Sequence, residues 1–556
     1  MHAREHIKKA LADALGTLGI ARGDAILLEH PAELSHGDYA TGAALQYAKQ
    51  TGLAPRELAE KIVAALGTVE GVAKTEIAGP GFINFHLSSA ALAETLQAAR
   101  DEQWGRSKLY EGEHVLLEYT SPNLFKPLHV GNLVGNIVGE SLARLFDFSA
   151  AQVTRINYPS DIGLTVAKGV WGIQKTGADP SDIHALGEAY RAGNQAYEEG
   201  GDAKKEIDDL NRRIYEGDAE LNAVREAGVK TSLAHLNAIC KQLGTSFDFE
   251  LFESEAGKVG AEIVRNKIGE VFEESQGAVV FPGEKHGLHT RVFLNSAGWP
   301  TYEAKDIGNF KLKTGRYKSW TQYFVVTGAE QKEYFKVVIA AIRMLFPEAQ
   351  QKIVAHVATG FLTPTTGKMS SRAGNVITGE SILADLGEAA KERAKESRAD
   401  DTDALAQQVA VAAIKYQILK QAAGKDIIFD RERALSLEGD SGPYLQYSHA
   451  RTSAILEKAA EQGVTPKADA AAEPNDVARL VSRFPDIVER AAQMREPHIV
   501  TTYLVQLAGA FNSYYAQVHI LDGSTSSPHK VALTDAVRQT LKNGLYLLGI
   551  PAPTLM

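Results

Sequence analysis

Hydrophobic positions change their period along this chain, and the changes divide it into three stretches. The first runs to about residue 107. There Ile7, Leu11, Leu15 and Leu18 recur at helical spacing, with Glu5 and Asp13 on the opposite face. Residues 55–66 predict a second helix with proline in its first turn. Gly79-Pro80-Gly81 reads as a turn, and Phe82-Ile83-Asn84-Phe85 after it as a strand.

From His114 to about Asp385, short apolar runs alternate with helical periodicity, which predicts a parallel sheet covered by helices. Residues 115–119 and 323–327 are strands. Leu133, Val134, Ile137, Val138, Leu142, Leu145 and Phe146 line one helix, and residues 337–346 another. A charged helical insertion, residues 172–244, is expected to wedge between two halves of the sheet. Residues 391–403 are polar and read as a hinge. Beyond them the pattern is helical over 405–423, 443–459, 475–494, 499–515 and 534–548.

Length and composition narrow the class. The chain has 556 residues, enough for about three or four domains without disulfide or metal staples. One cysteine, Cys240, excludes an internal disulfide and a multi-cysteine zinc site. Lys and Arg total 59 against 69 Asp and Glu, a net charge of −10, so a nucleic-acid partner must be held on local patches. No apolar run is long enough to span a membrane, and the amino end carries no leader pattern, so a cytoplasmic protein is expected.

Two constellations carry candidate chemistry. The first, Glu118-Tyr119-Thr120-Ser121-Pro122-Asn123-Leu124-Phe125-Lys126-Pro127-Leu128-His129-Val130-Gly131-Asn132, joins a strand to a helix. It therefore lies at the carboxyl edge of the sheet, where open α/β folds bind ligands. Gly131 permits close backbone approach, a helix starting near Asn132 points its positive end at phosphate, and His129 can donate to a phosphoryl oxygen. The second is Gly367-Lys368-Met369-Ser370-Ser371-Arg372-Ala373-Gly374-Asn375, a loop able to close over a triphosphate with Lys368 on the departing pyrophosphate. It is not a P-loop, because Met369 stands at the Ser/Thr position.

Together they resemble the paired HIGH and KMSKS signatures of class I aminoacyl-tRNA synthetases, and the whole chain resembles the arginyl-tRNA synthetases. Ser121-Pro122-Asn123 with the segment from Lys126 to Gly131 is similar to that family's first signature. Gly37-Asp38-Tyr39-Ala40-Thr41 and the segment from Ala78 to Phe85 resemble its additional amino-terminal domain. The run from Glu438 to Arg451 and the ending from Gly544 to Pro553 resemble its anticodon-binding domain. The implied architecture is a Rossmann-like α/β catalytic core with a helical insertion, an α+β N-terminal domain and an all-α C-terminal domain, divided as 1–107, 108–400 and 401–556.

The implied activity is arginine–tRNA ligation: ATP, with substrate-bound magnesium and no tightly held protein metal, activates L-arginine, which passes to tRNA(Arg). The resemblance assigns His129, Asn132 and Lys368 to catalysis. It assigns Pro127, His129, Gly131, Asn132, Lys368, Met369, Ser370 and Ser371 to ATP. Glu118, Ser121, Asn123, Tyr302, Asp306 and Gln331 go to arginine, with Tyr302 and Asp306 as guanidinium readers. Phe82, Asn84, Tyr447 and Arg451 go to tRNA, and a monomer is expected. A carboxylate-lined pocket suits a planar, always-charged guanidinium and rejects analogues lacking it.

Asn132 departs from the family's usual second histidine, and Ser160-Asp161-Ile162-Gly163 lacks the usual Trp and Gln. An amide donates but carries no charge. One alternative is therefore an impaired paralogue acting as an RNA-binding or regulatory protein; another is a class I enzyme for a different amino acid. His286 and His289 are expected on a surface turn, Cys240 as a small core residue, and Tyr514-Tyr515 as helical core packing.

Overall fold

The computed structural model describes residues 3–20, 26–365, 378–394 and 401–556. In the N-terminal module, α1 (Ala3–Thr17) precedes β1 (Tyr39–Thr41), α2 (Ala43–Thr51), α3 (Pro55–Leu66), β2 (Val72–Ala78), β3 (Phe82–Leu87) and α4 (Ser89–Ala98). The strands form an antiparallel sheet ordered β1-β3-β2. The amphipathic stripe of α1 is buried through Ile7, Leu11 and Leu15, against Leu58, Ile62, Ile83 and Phe85. Gly81 has φ 141°, and a Cβ there would lie 2.8 Å from the Pro55 carbonyl oxygen, so the turn before β3 requires glycine.

The catalytic module runs β4 (His114–Glu118), α5 (Val130–Phe148), β5 (Gln152–Asn157), then helices α6 (Leu164–Thr176), α7 (Ile183–Glu199), α8 (Gly201–Glu216) and α9 (Ala219–Gln242). It continues with β6 (Phe249–Glu250), α10 (Glu253–Asn266), β7 (Glu273–Ser275), β8 (Ala278–Phe281), β9 (Arg291–Leu294), α11 (Tyr302–Arg316), β10 (Gln322–Gly328), α12 (Lys332–Leu345), β11 (Ile353–Thr359), β12 (Leu362–Pro364) and α13 (Gly379–Ala394). The main sheet is parallel, ordered β11-β10-β4-β5-β6. All five β4 residues are buried, as expected of a central parallel strand.

This order corrects one expectation. The insertion separates the halves of the sheet in sequence only; in space β10 pairs directly with β4, Phe324 opposite Leu117. The crossover returns the chain beside β4, and the inserted helices leave from the β5–β6 edge. The antiparallel trio β7-β8-β9 was also unforeseen, because its strands are only three or four residues long. The helix expected from Asn132 begins at Val130.

The remaining elements are α14 (Thr402–Leu419), β13 (Ile427–Phe429), α15 (Arg431–Ala434), α16 (Gly442–Glu461), α17 (Asp476–Met494), α18 (His498–Gln517) and α19 (Ser527–Leu547). β13 pairs with β12, Ile428 opposite Thr363, so strands on either side of residue 400 hydrogen-bond to each other. The polar stretch read as a hinge is partly the end of α13, and residues 395–400 lie outside the described residues. The N-terminal module is fastened to α17: Arg4 Nη1 lies 2.6 Å from Asp486 Oδ1, and His30 Nε2 2.9 Å from Asp486 Oδ2.

Candidate active site

The chain leaves β4 through a loop with unusual backbone geometry. Thr120, Ser121 and Phe125 have φ of 77°, 40° and 69°, the left-handed region that side chains disfavour. Fasteners hold it there. Asn132 Nδ2 donates to the Thr120 carbonyl at 2.7 Å, and Asn136 Nδ2 to Thr120 Oγ1 at 2.9 Å. Leu124 N donates to Ser160 O, Ser160 N to Pro122 O, and Phe125 N to Ser232 Oγ of α9. The Phe125 ring fills space that a Cβ on Gly169 or Gly228 would occupy, 2.5 Å from its carbons in each case.

His129 is the N-cap of α5. Its Nδ1 accepts the Gly131 backbone N–H at 3.1 Å. Only a donor sits there, so Nδ1 holds a lone pair and the neutral ring carries its hydrogen on Nε2. Burial, then Lys126, lowers the pKa of His129, which keeps it uncharged at neutral pH. Gly131 leaves room for this cap, since a Cβ there would sit a tight 3.3 Å from His129 Nδ1.

Glu118, at the end of β4, is buried. It accepts hydrogen bonds from Asn309 Nδ2 at 3.1 Å and Tyr323 OH at 2.9 Å, and forms an ion pair with the fully buried Lys313. Ser121 Oγ lies 3.5 Å from its other oxygen. Asp306 faces the same cluster and accepts from Tyr334 OH at 2.6 Å. Burial and the neighbouring Glu118 charge push the Asp306 carboxyl up to about 8. Two carboxyls and one lysine thus converge, with Lys313 balancing Glu118, so ionisation of Asp306 would call for a second cation.

The sequence placed Tyr302 and Asp306 on one helical face. Both are on α11, but Tyr302 is 61% exposed at its first residue, with Lys305 Nζ 5.0 Å from its ring centroid, while Asp306 turns inward. Lys305 is itself buried and paired with Glu253 at 2.7 Å. Asn123 and Gln331 follow the carboxyl ends of the adjacent strands β4 and β10. Reasoning from sequence missed Asn309 and Lys313. They lie three and seven residues beyond Asp306, the same helical face, and that spacing was the available signal. Lys368, Met369, Ser370 and Ser371 lie outside the described residues.

Next to His129 opens a cavity of about 680 Å³ between the Phe125–His129 loop, α7, α9 and the start of α13. Lys126, His129, His184, Arg191 and His235 line it, with Glu380 as the one carboxylate among its lining residues. Pro127 is exposed at its rim.

Away from the sheet, Phe82 is 42% exposed and Asn84 is buried. The Arg451 guanidinium lies 4.8 Å from the Tyr447 ring centroid and 5.5 Å from that of Tyr515, and donates to Asn512. The expectation of core packing at Tyr514-Tyr515 holds for Tyr514, which packs against the bundle core, and fails for Tyr515, which is exposed and lies against Arg451 at the bundle surface. His286 stands on an exposed turn against Phe281, and Cys240 is buried, its thiol pushed up to about 12 by burial.

Three family models cover most of the chain. Residues 94–431 match the class I (R) tRNA synthetase catalytic domain, 445–556 the DALR anticodon binding domain, and 1–87 the arginyl tRNA synthetase N terminal domain. The chain belongs to the arginyl-tRNA synthetase family. It is 31% identical to the arginine–tRNA ligase of Limosilactobacillus reuteri over 100% of both chains. It is 30% identical to that of Thermococcus sibiricus, over 99% of this chain and 98% of the other. Among solved structures it is similar to the Thermus thermophilus arginyl-tRNA synthetase, with a TM-score of 0.81 and 26% identity over the full length of both chains. The Plasmodium falciparum arginyl-tRNA synthetase has the same fold, with a TM-score of 0.81 at 18% identity. The chain is thus a class I ligase that uses ATP to join arginine to tRNA. Among the described residues, no helix is long and apolar enough to cross a membrane.

Proposed function

We propose the following division of labour among the residues of this ligase. The guanidinium of L-arginine enters between Asp306 and Glu118, with Tyr302 at the outer end of α11. Asn123, Ser121 and Gln331 hold the amino-acid end, and the carboxylate attacks the α-phosphate of ATP in line. Arginyl-adenylate and pyrophosphate result, and the terminal ribose of tRNA(Arg) then takes the arginyl group. No covalent enzyme intermediate is required; positioning and electrostatics lower the barrier.

His129 donates from Nε2 to a phosphoryl oxygen. The Pro127–Gly131 stretch and the start of α5 approach the nucleotide, and Lys368 with Met369, Ser370 and Ser371 covers the pyrophosphate. Asn132 acts mainly as a positioning residue for the strained Thr120 turn, since its amide nitrogen is given to that backbone. Magnesium enters with ATP and neutralises its phosphate charge. The cationic lining of the cavity beside His129 favours anionic ligands.

For tRNA(Arg), Arg451 between Tyr447 and Tyr515 offers a stacking surface for unpaired anticodon bases, and Phe82 one for a loop base. Asn84 supports its strand from within. The chain acts as a cytoplasmic monomer.

One observation carries this reading: the connection from β4 to α5 begins at Glu118, which clusters with the carboxyl of Asp306, and ends at a neutral imidazole whose Nε2 has no partner among the described residues. Its test is acylation of total tRNA with each of the twenty amino acids, together with arginine-dependent exchange of pyrophosphate into ATP in the presence of tRNA. Arginine alone should be charged. Charging of another amino acid, or none across several tRNA preparations, would overturn it.

A further inference from the structure

The first helix residues after the second signature reach back to the first. Thr378 caps α13 reciprocally with Ser381: Ser381 N donates to Thr378 Oγ1 and Thr378 N to Ser381 Oγ, both at 3.1 Å. This rigid start bridges antiparallel to His129 through Thr378, and Gly379 N donates to the Leu128 carbonyl at 2.9 Å. Glu380 completes the contact. Its Oε1 accepts the Leu128 N–H at 3.0 Å, and its Oε2 lies 3.0 Å from His235 Nε2 on α9.

Glu380 lies in the first turn of α13, where a carboxylate often serves its own helix. Here both oxygens turn outward, one to a peptide of the first signature and one to the insertion. Leu128 is buried, and its N–H precedes the N-cap of α5 with no strand beside it. Without Glu380 that donor would be orphaned, and the peptide carrying His129 would lose one of its two ties to α13. Packing tightens the arrangement, since a Cβ on Gly379 would lie 3.0 Å from Leu133 Cβ of α5. Burial alone would raise the Glu380 pKa, but hydrogen bonds from His235 and Leu128 lower it, so the acceptor stays ionised. The same contact raises the His235 pKa.

We propose that Glu380 is a positioning residue for His129, fixing the Leu128 peptide and hence the imidazole, and that His235 of the insertion holds Glu380 in that role. The proposal rests on the reading of His129 as the group that meets ATP.

The experiment is pyrophosphate exchange by the full-length protein with tRNA present, at varied ATP and varied arginine, with thermal unfolding beside it. Glu380→Ala should lower kcat about tenfold to a hundredfold and leave the arginine KM within about twofold. Glu380→Gln keeps an acceptor for Leu128 and should lose less. His235→Gln keeps a donor and should stay within about threefold of wild type. His235→Ala should lose more, and Glu380→Ala with His235→Ala should be no worse than Glu380→Ala alone, since both act through one contact. Wild-type kcat and ATP KM in Glu380→Ala would overturn the proposal, as would multiplying effects in the double variant. If Glu380→Ala does not fold, Glu380→Gln and the His235 pair decide by the same comparisons. The underlying reading fails separately: His129→Asn would then leave exchange intact.

Discussion

With burial and then Glu118 pushing its carboxyl up to about 8, Asp306 favours the protonated form at neutral pH. On the proposed role of Asp306, the arginine guanidinium binds the ionised form, so binding would expel that proton. The sign follows: arginine affinity rises with pH up to about 8 and flattens above, changing about tenfold per unit below. Calorimetry at pH 7 in buffers of different ionisation enthalpy should show close to one proton released per arginine bound. Asp306→Asn should abolish that release and raise the arginine KM by about a hundredfold or more, with tRNA binding unchanged. A pH-independent KM between 6 and 8 would refute the linkage. Lys313 is the complementary case, being wholly buried and paired with Glu118. Lys313→Met should cost about 3–5 kcal/mol, read as a lowered urea midpoint, because it strands the Glu118 charge. Glu118 was legible as a carboxylate at a strand end and Asp306 as a carboxylate on a helix, but the four-residue spacing from Tyr302 misled, since Tyr302 is exposed while Asp306 turns inward. What could not be read was that Glu118 is already occupied by Lys313, Asn309 and Tyr323, which reach it from two other elements.

Helix α5 joins folding to chemistry through its N-cap, His129. The same imidazole that faces the site caps the helix, so its two nitrogens can be separated by substitution. His129→Asn preserves a capping oxygen and should leave the melting temperature nearly unchanged while kcat for exchange falls about a hundredfold. His129→Ala should show a similar loss of rate and a further destabilisation of about 1 kcal/mol. Equal stability in the two variants would show that the cap contributes nothing. Periodicity located α5 well because Leu133, Ile137, Leu142 and Leu145 are all buried on the sheet. Its start was missed by two residues because a histidine cap lies outside the usual capping types. The pleated trio β7-β8-β9 escaped for a different reason: β7 is exposed throughout and offers no alternation to detect.

Domain contacts in the whole molecule converge on the far end of α5. Ser141 Oγ donates to Leu547 O at 2.8 Å, and Arg144 donates to Tyr546 O at 3.0 Å and Gly244 O at 2.8 Å. Lys415 on α14 donates to Leu243 O at 2.6 Å, where the insertion ends, and to Gly549 O at 2.7 Å, just past α19. Carbonyls at and just beyond the ends of α9 and α19 thus accept from side chains of α5 and α14. Arg144 also pairs with Glu140, which accepts from Tyr119 OH at 2.7 Å, one residue from Glu118. Apart from the Arg144–Glu140 pair, which has the i,i+4 spacing of a helix, these contacts leave no trace in the sequence, since they join a side chain to a carbonyl a hundred or more positions away or to a residue on another element. Burial lowers the Lys415 pKa to about 7, with Arg144 adding to the effect. Between there and the ordinary lysine value the unfolded chain binds a proton that the folded chain has lost, so stability rises with pH in that window by up to about 1.4 kcal/mol per unit. Lys415→Met should lower the urea midpoint at every pH, because two buried carbonyls lose their donor. It should also remove the part of the gain between pH 7.5 and 9 that Lys415 supplies. Parallel pH profiles for variant and wild type would mean that this lysine stays charged in place, held by the two carbonyls against its burial.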